Sequence, residues 1–238
     1  MGREHTMGVA TPAPQASARH RPHYARPVTP SDALFDLPEG ERVPRRRVLV
    51  LAGASGSGKS SVAGRLGIPV VRLDDFYLDI DHPGLPRARG TVDWDDPGTW
   101  DLDHAVATLL DACRCDSLTL PVYDIPTSRR TGSETLDISG APAIVAEGIF
   151  AAHVVEPLRS AGVLAGAFHL VQSRTTTAVR RFARDVGEAR KPLGTLVRRG
   201  VALWRAEPRL VRSWQSAGLD PLPREGAEDA LARIVSGR

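Results

Sequence analysis

Short runs of apolar residues recur along the chain, and between them lie segments whose apolar residues have helical spacing. Val48 to Ala52 is a continuous apolar run, typical of a strand buried in a parallel sheet. Further short strands are predicted near residues 68–73, 143–146 and 163–171. Residues 101–113 predict an amphipathic helix with Asp101 as its N-cap, and from residue 175 onward the pattern is helical and rich in arginine. Alternating strands and helices predict an α/β domain with a mainly parallel sheet of about five strands.

The composition is that of a soluble globular protein. Of the 238 residues, 42% are hydrophobic and 25% are charged. No apolar run is long enough to span a membrane, and the N-terminus lacks the apolar segment of a secretory signal, so a cytoplasmic protein is expected. Two cysteines, Cys113 and Cys115, are too few for a disulfide framework or a zinc site.

The positive charge of the chain is concentrated at its N-terminus. Residues 1–46 contain seven prolines and few apolar residues, which predicts a disordered tail followed by one domain over residues 47–238. Residues 1–47 contain eight arginines and five acidic residues, which accounts for the net charge of +3, so the remainder of the chain is neutral. This balance argues against a nucleic-acid-binding domain.

A phosphate-binding motif follows the first predicted strand. Residues 53–60 read G-A-S-G-S-G-K-S, which matches the pattern G-x-x-x-x-G-K-[ST]. The glycines allow the backbone N–H groups to surround a phosphate, and the helix that follows presents its positive end to the same anion. Lys59 is expected to reach the terminal phosphates, and Ser60 to offer its hydroxyl to Mg²⁺. This motif predicts binding of a nucleoside triphosphate.

Two acidic residues follow predicted strands at positions where ligands bind in parallel sheets. Asp74 comes after the second strand, and Glu147 ends the strand that begins near residue 143. Ligands of open α/β sheets bind beyond the carboxyl ends of the strands, so Asp74 is expected to face the phosphate loop. Glu147 stands where a P-loop enzyme places a carboxylate that orients Mg²⁺ and its waters. The chain contains no asparagine, which excludes the N-K-x-D guanine motif of a GTPase.

These segments, taken in order, resemble the uridine kinase family of P-loop kinases. The resemblance rests on six motifs that cover most of residues 47–200. They are the loop at 53–60, D-D-F-Y at 74–77, D-W-D-D-P-G-T-W-D at 93–101, P-V-Y-D at 121–124, E-G-I at 147–149 and R-R-F-A-R-D-V-G-E at 180–188.

The resemblance implies a P-loop NTPase fold and a cytoplasmic kinase of pyrimidine salvage. Such an enzyme transfers the γ-phosphate of ATP, with Mg²⁺, to the 5′-hydroxyl of uridine or cytidine. The catalytic residues implied are Asp74 as the proton acceptor, Lys59 and Arg184. The ATP site implied comprises Gly53, Ala54, Ser55, Gly56, Ser57, Gly58, Lys59, Ser60 and Ser61, with Arg181, Arg184 and Lys191 from an arginine-rich lid over about residues 180–192. The substrate site implied comprises Asp74, Tyr77, Asp95 (at the ribose hydroxyls), Tyr123, Ser128 and Arg130, and the metal site comprises Ser60 and Glu147.

Three positions depart from the family pattern and keep alternatives open. Ser128 stands where the family often has a histidine that reads the base, Ala189 replaces an arginine of the lid, and Arg199 matches a glutamine that holds the ribose. One alternative is therefore a P-loop kinase for another small hydroxyl acceptor, such as pantothenate or a sugar phosphate. Another is an ATP-binding regulatory protein that is not a kinase. The expected partner is a small-molecule substrate, with no nucleic acid and no membrane, and the formation of homo-oligomers is left open.

Overall fold

The computed structural model describes residues 44–88, 90–187 and 207–236, which fold around one parallel sheet. Five strands form this sheet, in the spatial order Val70–Arg72, Ala143–Gly148, Arg47–Ala52, Leu164–Val171 and Asp220–Pro223, and every neighbouring pair is parallel. The predicted α/β architecture with a mainly parallel sheet of about five strands is therefore confirmed. In chain order the elements are β1 (Arg47–Ala52), α1 (Lys59–Arg65), β2 (Val70–Arg72), β3 (Arg87–Ala88), β4 (Thr91–Val92), α2 (Leu102–Ala112), β5 (Ser117–Asp124), β6 (Arg129–Asp137), β7 (Ala143–Gly148), α3 (Val155–Ser160), β8 (Leu164–Val171), α4 (Arg174–Gly187), α5 (residues 207–216), β9 (Asp220–Pro223) and α6 (Ala227–Val235).

The sheet separates two apolar core layers because the side chains of its central strand alternate between its faces. Val48 and Val50 of β1 pack into the layer covered by α2, α3 and α5. Leu49 and Leu51 pack into the opposite layer, against α1 and α6. All six residues of β7 are buried as well, which explains why these two strands read as uninterrupted apolar runs.

Helix α2 begins and ends close to its predicted bounds. The Asp101 side chain accepts a hydrogen bond from the backbone N–H of His104 at 3.2 Å, so Asp101 is the N-cap as predicted. Val106, Leu109 and Leu110 lie on the buried face of the helix. Their helical spacing fixes the face that packs on the sheet.

Two parts of the architecture differ from the sequence-based prediction. Residues 220–223 were expected to be helical but form β9, the edge strand of the sheet, where the two prolines of D-P-L-P are tolerated. Residues 117–137 form an antiparallel hairpin, β5–β6, that the apolar pattern does not predict, because β6 is largely exposed and polar. This hairpin has its turn near Ser128 and contacts the segment that follows β2.

Ordered contacts begin before the predicted domain boundary at residue 47. The Arg46 side chain is buried and donates hydrogen bonds to the backbone oxygens of Ala112, Cys115 and Ala141 and to the Asp116 carboxylate. Arg46 therefore belongs to the folded domain, although its charge made it look like part of the tail. Residues 1–43 lie outside the described residues, so the disorder of the tail stays a prediction. Within the described ranges, no helix has the length and hydropathy required to cross a membrane.

Candidate active site

The phosphate loop connects β1 to α1 and has the backbone shape that its glycines permit. Gly56 and Gly58 have φ angles of 87° and 96°, in the left-handed region that other residues rarely adopt. The Ser57 N–H donates to the Ala54 carbonyl at 3.0 Å, which closes the turn. The Lys59 ammonium is buried beneath the loop and donates to the Gly53 carbonyl at 2.9 Å. A cation is thereby held at the centre of the predicted phosphate cradle.

A hydroxyl and a carboxylate meet beside this loop. β7 pairs with β1 in a register that places Gly148 opposite Ala52, so Glu147, the next-to-last residue of β7, lies near the beginning of the loop. The Ser60 Oγ donates to the Glu147 Oε1 at 2.8 Å. Burial raises the pKa of Glu147, and the Asp74 charge raises it further, while Lys59 and the Ser60 hydrogen bond oppose the shift. Lys59 and Ser60 therefore favour the charged form of the Glu147 carboxylate.

The third component is Asp74, which lies at the end of the adjacent strand. The register of β2 with β7 places Arg72 opposite Glu147, and the 3₁₀ turn Leu73–Phe76 follows directly. The Asp74 Oδ1 accepts a hydrogen bond from the Ile149 N–H at 3.1 Å. A Cβ atom on Gly148 would lie 2.9 Å from that same oxygen, so glycine leaves the space that the carboxylate occupies. Three adjacent strands thus bring Lys59, Glu147 and Asp74 together at the carboxyl ends of the strands.

The chemistry of these groups fits the predicted Mg²⁺ site. Mg²⁺ prefers oxygen ligands, and in nucleotide sites it takes one or two from the protein and the others from phosphates and water. Ser60 and Glu147 supply a hydroxyl and a carboxylate oxygen at adjacent positions. Across the residues the structure describes, no cluster of three or more His, Cys, Asp or Glu side chains is arranged to hold a metal alone. A cation at this position would therefore complete its coordination from a nucleotide and from water.

Aromatic side chains form a cluster around Tyr77, just beyond Asp74. The Tyr77 ring centroid lies 5.8 Å from that of Trp94, 5.7 Å from that of Tyr123 and 5.8 Å from that of Phe150. The Tyr77 hydroxyl also donates to the Trp94 carbonyl at 3.2 Å. The structure therefore brings the predicted Tyr77 and Tyr123 together, and it adds Trp94 and Phe150. Trp94 directly follows Asp93, and Phe150 follows Glu147 by three residues. Their closeness to acidic residues of the motifs is a signal that could have identified both.

Asp95 lies in the wall of a cleft next to this aromatic cluster. The cleft has a volume of about 640 Å³, large enough for a small-molecule ligand. Trp94 belongs both to the cleft wall and to the aromatic cluster, so the two features are continuous. The lining residues are Ile80, Arg87, Gly90, Thr91, Val92, Asp93, Trp94 and Asp95.

Arg130 and Ser128, which were predicted to contact the substrate, have partners within the protein. The Arg130 guanidinium donates to the carbonyls of Phe76 and Tyr77, at 3.4 and 3.2 Å, and to the Asp101 carboxylate at 3.0 Å. Ser128 lies in the hairpin turn with a φ angle of 52°, and its hydroxyl donates to the Ile125 carbonyl at 3.4 Å. Arg130 thus ties the hairpin to the turn that carries Asp74, an arrangement that its sequence position does not reveal. Substrate contact by either residue stays a prediction.

Two arginines lie against the phosphate loop, namely Arg180, the first residue of the predicted lid, and Arg224, which sequence reasoning missed. A Cβ atom on Gly58 would meet the Arg224 Nε at 3.3 Å and an Arg180 guanidinium nitrogen at 3.9 Å. Arg224 directly follows the edge strand β9, and the rule that ligands bind beyond strand ends could have found it once that strand was known. The predicted Arg181 and Arg184 lie in α4, but their side chains are outside what the structure describes, as is all of Lys191. Their roles stay predictions.

Comparison with known proteins places this geometry in a family. Residues 48–190 match the model of the Phosphoribulokinase / Uridine kinase family. A uridine kinase of Saccharomyces cerevisiae is 32% identical over 112 residues, which are 44% of this chain and 22% of the relative. A uridine kinase of Chloroflexus aurantiacus is 37% identical over 109 residues, which are 43% of this chain and 51% of the relative. The matches thus span about half or less of the length of these relatives.

A solved structure supports the fold independently of sequence. YFH7 of Saccharomyces cerevisiae, a P-loop containing protein with a circular permutation, superimposes with a TM-score of 0.56. The match covers 82% of this chain and 98% of that protein, at 12% sequence identity. Likeness at this level of identity concerns the fold alone.

Proposed function

The chain belongs to the Phosphoribulokinase / Uridine kinase family, and we propose that it is an ATP-dependent kinase that phosphorylates the 5′-hydroxyl of a pyrimidine ribonucleoside, uridine or cytidine. One observation carries the proposal. Lys59 of the phosphate loop, the Ser60–Glu147 pair and Asp74 converge from three adjacent strand ends. Phosphoryl transfer requires a cationic cradle, oxygen ligands for a metal and a carboxylate that orients the nucleophile, and these groups supply all three.

Each group has a distinct part in the proposed reaction. Lys59 exchanges the Gly53 carbonyl for the terminal phosphates, and the loop N–H groups hold the adjacent phosphate. Ser60 and Glu147 would hold Mg²⁺, which would neutralise charge on the phosphates. Asp74 accepts the proton of the acceptor hydroxyl and orients that oxygen towards the γ-phosphorus, where a new O–P bond forms as the bond to the β-phosphate oxygen breaks and ADP leaves. The Ile149 N–H, which donates to the Asp74 Oδ1, holds this carboxylate in position.

A nucleoside is the acceptor class that the surroundings of Asp74 favour. Tyr77 follows Asp74 by three residues and lies in the aromatic cluster, where a flat base can stack. The cleft lined by Trp94 and Asp95 continues from this cluster, and Asp95 offers a carboxylate for ribose hydroxyls. We place the enzyme in pyrimidine salvage in the cytoplasm on the strength of its family.

A kinase for a different small hydroxyl acceptor is the second candidate. Its support is that Ser128 and Arg130, two of the expected substrate contacts, already have partners inside the protein. A site that has lost base-reading contacts but kept its phosphate-handling groups suits an acceptor without a base.

The first experiment separates these candidates by measuring ATP consumption by the purified 238-residue chain with Mg²⁺. The acceptor panel contains uridine, cytidine, adenosine, guanosine, deoxyuridine, ribose and pantothenate. Turnover restricted to uridine or cytidine is expected. Turnover with ribose or pantothenate instead would show that the enzyme is a kinase for a different acceptor. ATP binding without turnover on any acceptor would contradict the proposed activity.

Asp74→Asn tests the proposed mechanism. The amide keeps an oxygen for the Ile149 N–H but cannot take the hydroxyl proton, so kcat should fall on the order of 10²-fold or more while ATP still binds. Asp75→Asn is the matched control, because that neighbouring carboxylate is paired with Arg72 at 2.9 Å. An unchanged kcat in Asp74→Asn would remove Asp74 from the mechanism.

A further inference from the structure

A cavity lies behind the phosphate loop, and Ala54 and Ser57 of that loop form part of its wall. Its volume is about 260 Å³, and it is bounded by the end of β8, the first turns of α4 and the beginning of α5. Its lining shares no residue with the turn that carries Asp74, with the aromatic cluster or with the Asp95 cleft. The lining residues are Ala54, Ser57, His169, Leu170, Val171, Gln172, Thr177, Glu207, Pro208, Val211 and Trp214.

The polar atoms without a partner are concentrated in the wall of this cavity. Over the described ranges, only three buried side-chain nitrogen or oxygen atoms lack a hydrogen-bond partner, namely Ser57 Oγ, His169 Nε2 and Thr177 Oγ1. All three residues line the cavity, and each is at least 98% buried. Because buried polar groups are normally paired, three unpaired groups around one space indicate a missing partner.

The charges in the wall restrict the chemistry of that partner. Among the residues that the structure describes, the lining contains no lysine or arginine, and its one carboxylate is Glu207, which has another interaction within the chain. Burial lowers the pKa of His169, so its imidazole is neutral. Among these described residues a phosphate or another anion would find no cation, whereas an uncharged molecule would find hydroxyls and an imidazole.

The shape and the apolar surface restrict the partner further. The volume lies just below the roughly 300–1,000 Å³ of pockets for drug-sized ligands, so it suits a fragment rather than a nucleotide. Trp214 and His169 contribute flat rings, with centroids 5.9 Å apart and planes 34° apart, and Val211 adds apolar surface. A planar ring with hydrogen-bonding groups on its edge matches both the flat walls and the unpaired atoms.

We propose that this cavity binds a small uncharged nitrogen heterocycle of about the size of one nucleobase. Hydrogen-bonding groups on the edge of the heterocycle satisfy Ser57, Thr177 and His169, whose hydroxyl and imidazole groups both donate and accept. Its ring packs against the Trp214 side. Because Ser57 belongs to the phosphate loop and Thr177 to α4, an occupant would contact the back of the loop and this helix together.

The proposal is tested by ligand-detected NMR titration of the 238-residue chain with adenine, cytosine and uracil, each at millimolar concentration. At least one base is expected to bind saturably, and Thr177→Val should weaken its binding tenfold or more. Thr175→Val is the matched control, since that threonine is exposed on the same helix and does not line the cavity. Its affinity should equal that of the wild type.

Two further variants distinguish this cavity from the sites described above. Lys59→Ala disables the phosphate loop and Asp95→Ala alters the cleft, so binding that survives both belongs to neither. Thr177→Val should fold normally, because the hydroxyl it removes has no partner, and Ser57→Ala provides a second variant that should also weaken binding. The proposal is overturned if no base binds the wild type, if Thr177→Val binds as tightly as Thr175→Val, or if Lys59→Ala or Asp95→Ala abolishes binding.

Discussion

Arg130 offers a direct test of whether its guanidinium positions the catalytic turn or contacts the acceptor. In the structure the side chain joins the hairpin to the Phe76 and Tyr77 carbonyls and to the Asp101 carboxylate. Arg130→Met keeps much of the aliphatic length of the side chain but removes all of these hydrogen bonds. The variant therefore separates the polar contacts of Arg130 from its packing.

The expected loss of stability follows from these contacts. The bonds to Asp101 and Tyr77, at 3.0 and 3.2 Å, have good lengths, whereas the bond to Phe76, at 3.4 Å, is long and contributes little. Hydrogen bonds that involve a charged group contribute about 1.5–3 kcal/mol when buried. Arg130 and Asp101 remain 29% and 25% exposed, so solvent weakens their pair. We expect Arg130→Met to lower the free energy of unfolding by about 2 kcal/mol.

The assay is urea unfolding followed by tryptophan fluorescence, with steady-state kinetics on the same samples. Arg129→Met is the matched control, because the adjacent Arg129 pairs with Asp81 and both side chains are exposed, so the loss of this pair should leave the unfolding curve unchanged. Arg130→Met should also lower kcat, because the carbonyls that it releases belong to the turn that carries Asp74. If Arg130→Met has the stability of the wild type and a raised KM, this reasoning is refuted, and Arg130 is instead a substrate contact.

Two further predictions concern the carboxylates of the site. Because burial raises the pKa of Glu147 above 4.5 in the folded protein, the folded state binds the proton more tightly, and the free energy of unfolding should fall as the pH rises from 4.5 through the raised value. Chemical unfolding across that range should show a shallower fall for Glu147→Gln, and equal slopes would contradict the assignment. Gly148→Ala places a Cβ atom 2.9 Å from the Asp74 Oδ1, so we expect a lower kcat, whereas Gly64→Ala, where a Cβ meets nothing within 4 Å, should keep the wild-type kcat. Identical kcat values for the two alanine variants would show that the space beside Asp74 is unimportant.

The parts of the fold that could be predicted are those with a strong local pattern. β1 and β7 are buried on both faces, so their apolar runs identify them, and α2 carries both a helical apolar stripe and the Asp101 cap. β9 gives no such signal, because a four-residue segment with two prolines resembles a turn. β6 lies mostly in solvent and therefore has no apolar alternation to detect.

The candidate site likewise has residues that the sequence predicts and residues that it does not. The phosphate loop could be recognised because its chemistry is contained in eight consecutive residues, and the carboxylates because they follow recognisable strands. The partners of Arg130 could not be recognised, since two are backbone carbonyls and the third, Asp101, is 29 residues away. Similarly, the cavity behind the loop depends on contacts between β8, α4 and α5 that no single segment records.

The strand order of the sheet has a consequence for how the protein folds. β1 and β2 are the first two strands of the sheet along the chain, yet β7 lies between them in the sheet. The hydrogen bond between Ser60 and Glu147 therefore joins residues that are 87 positions apart in the sequence. Closing such a long loop is slow compared with forming a helix or a hairpin. A nascent chain thus cannot assemble the Ser60–Glu147 pair until residue 147 has left the ribosome, although the phosphate loop has emerged long before. During refolding, recovery of the complete nucleotide site should therefore follow the recovery of helical structure and mark the completion of the sheet.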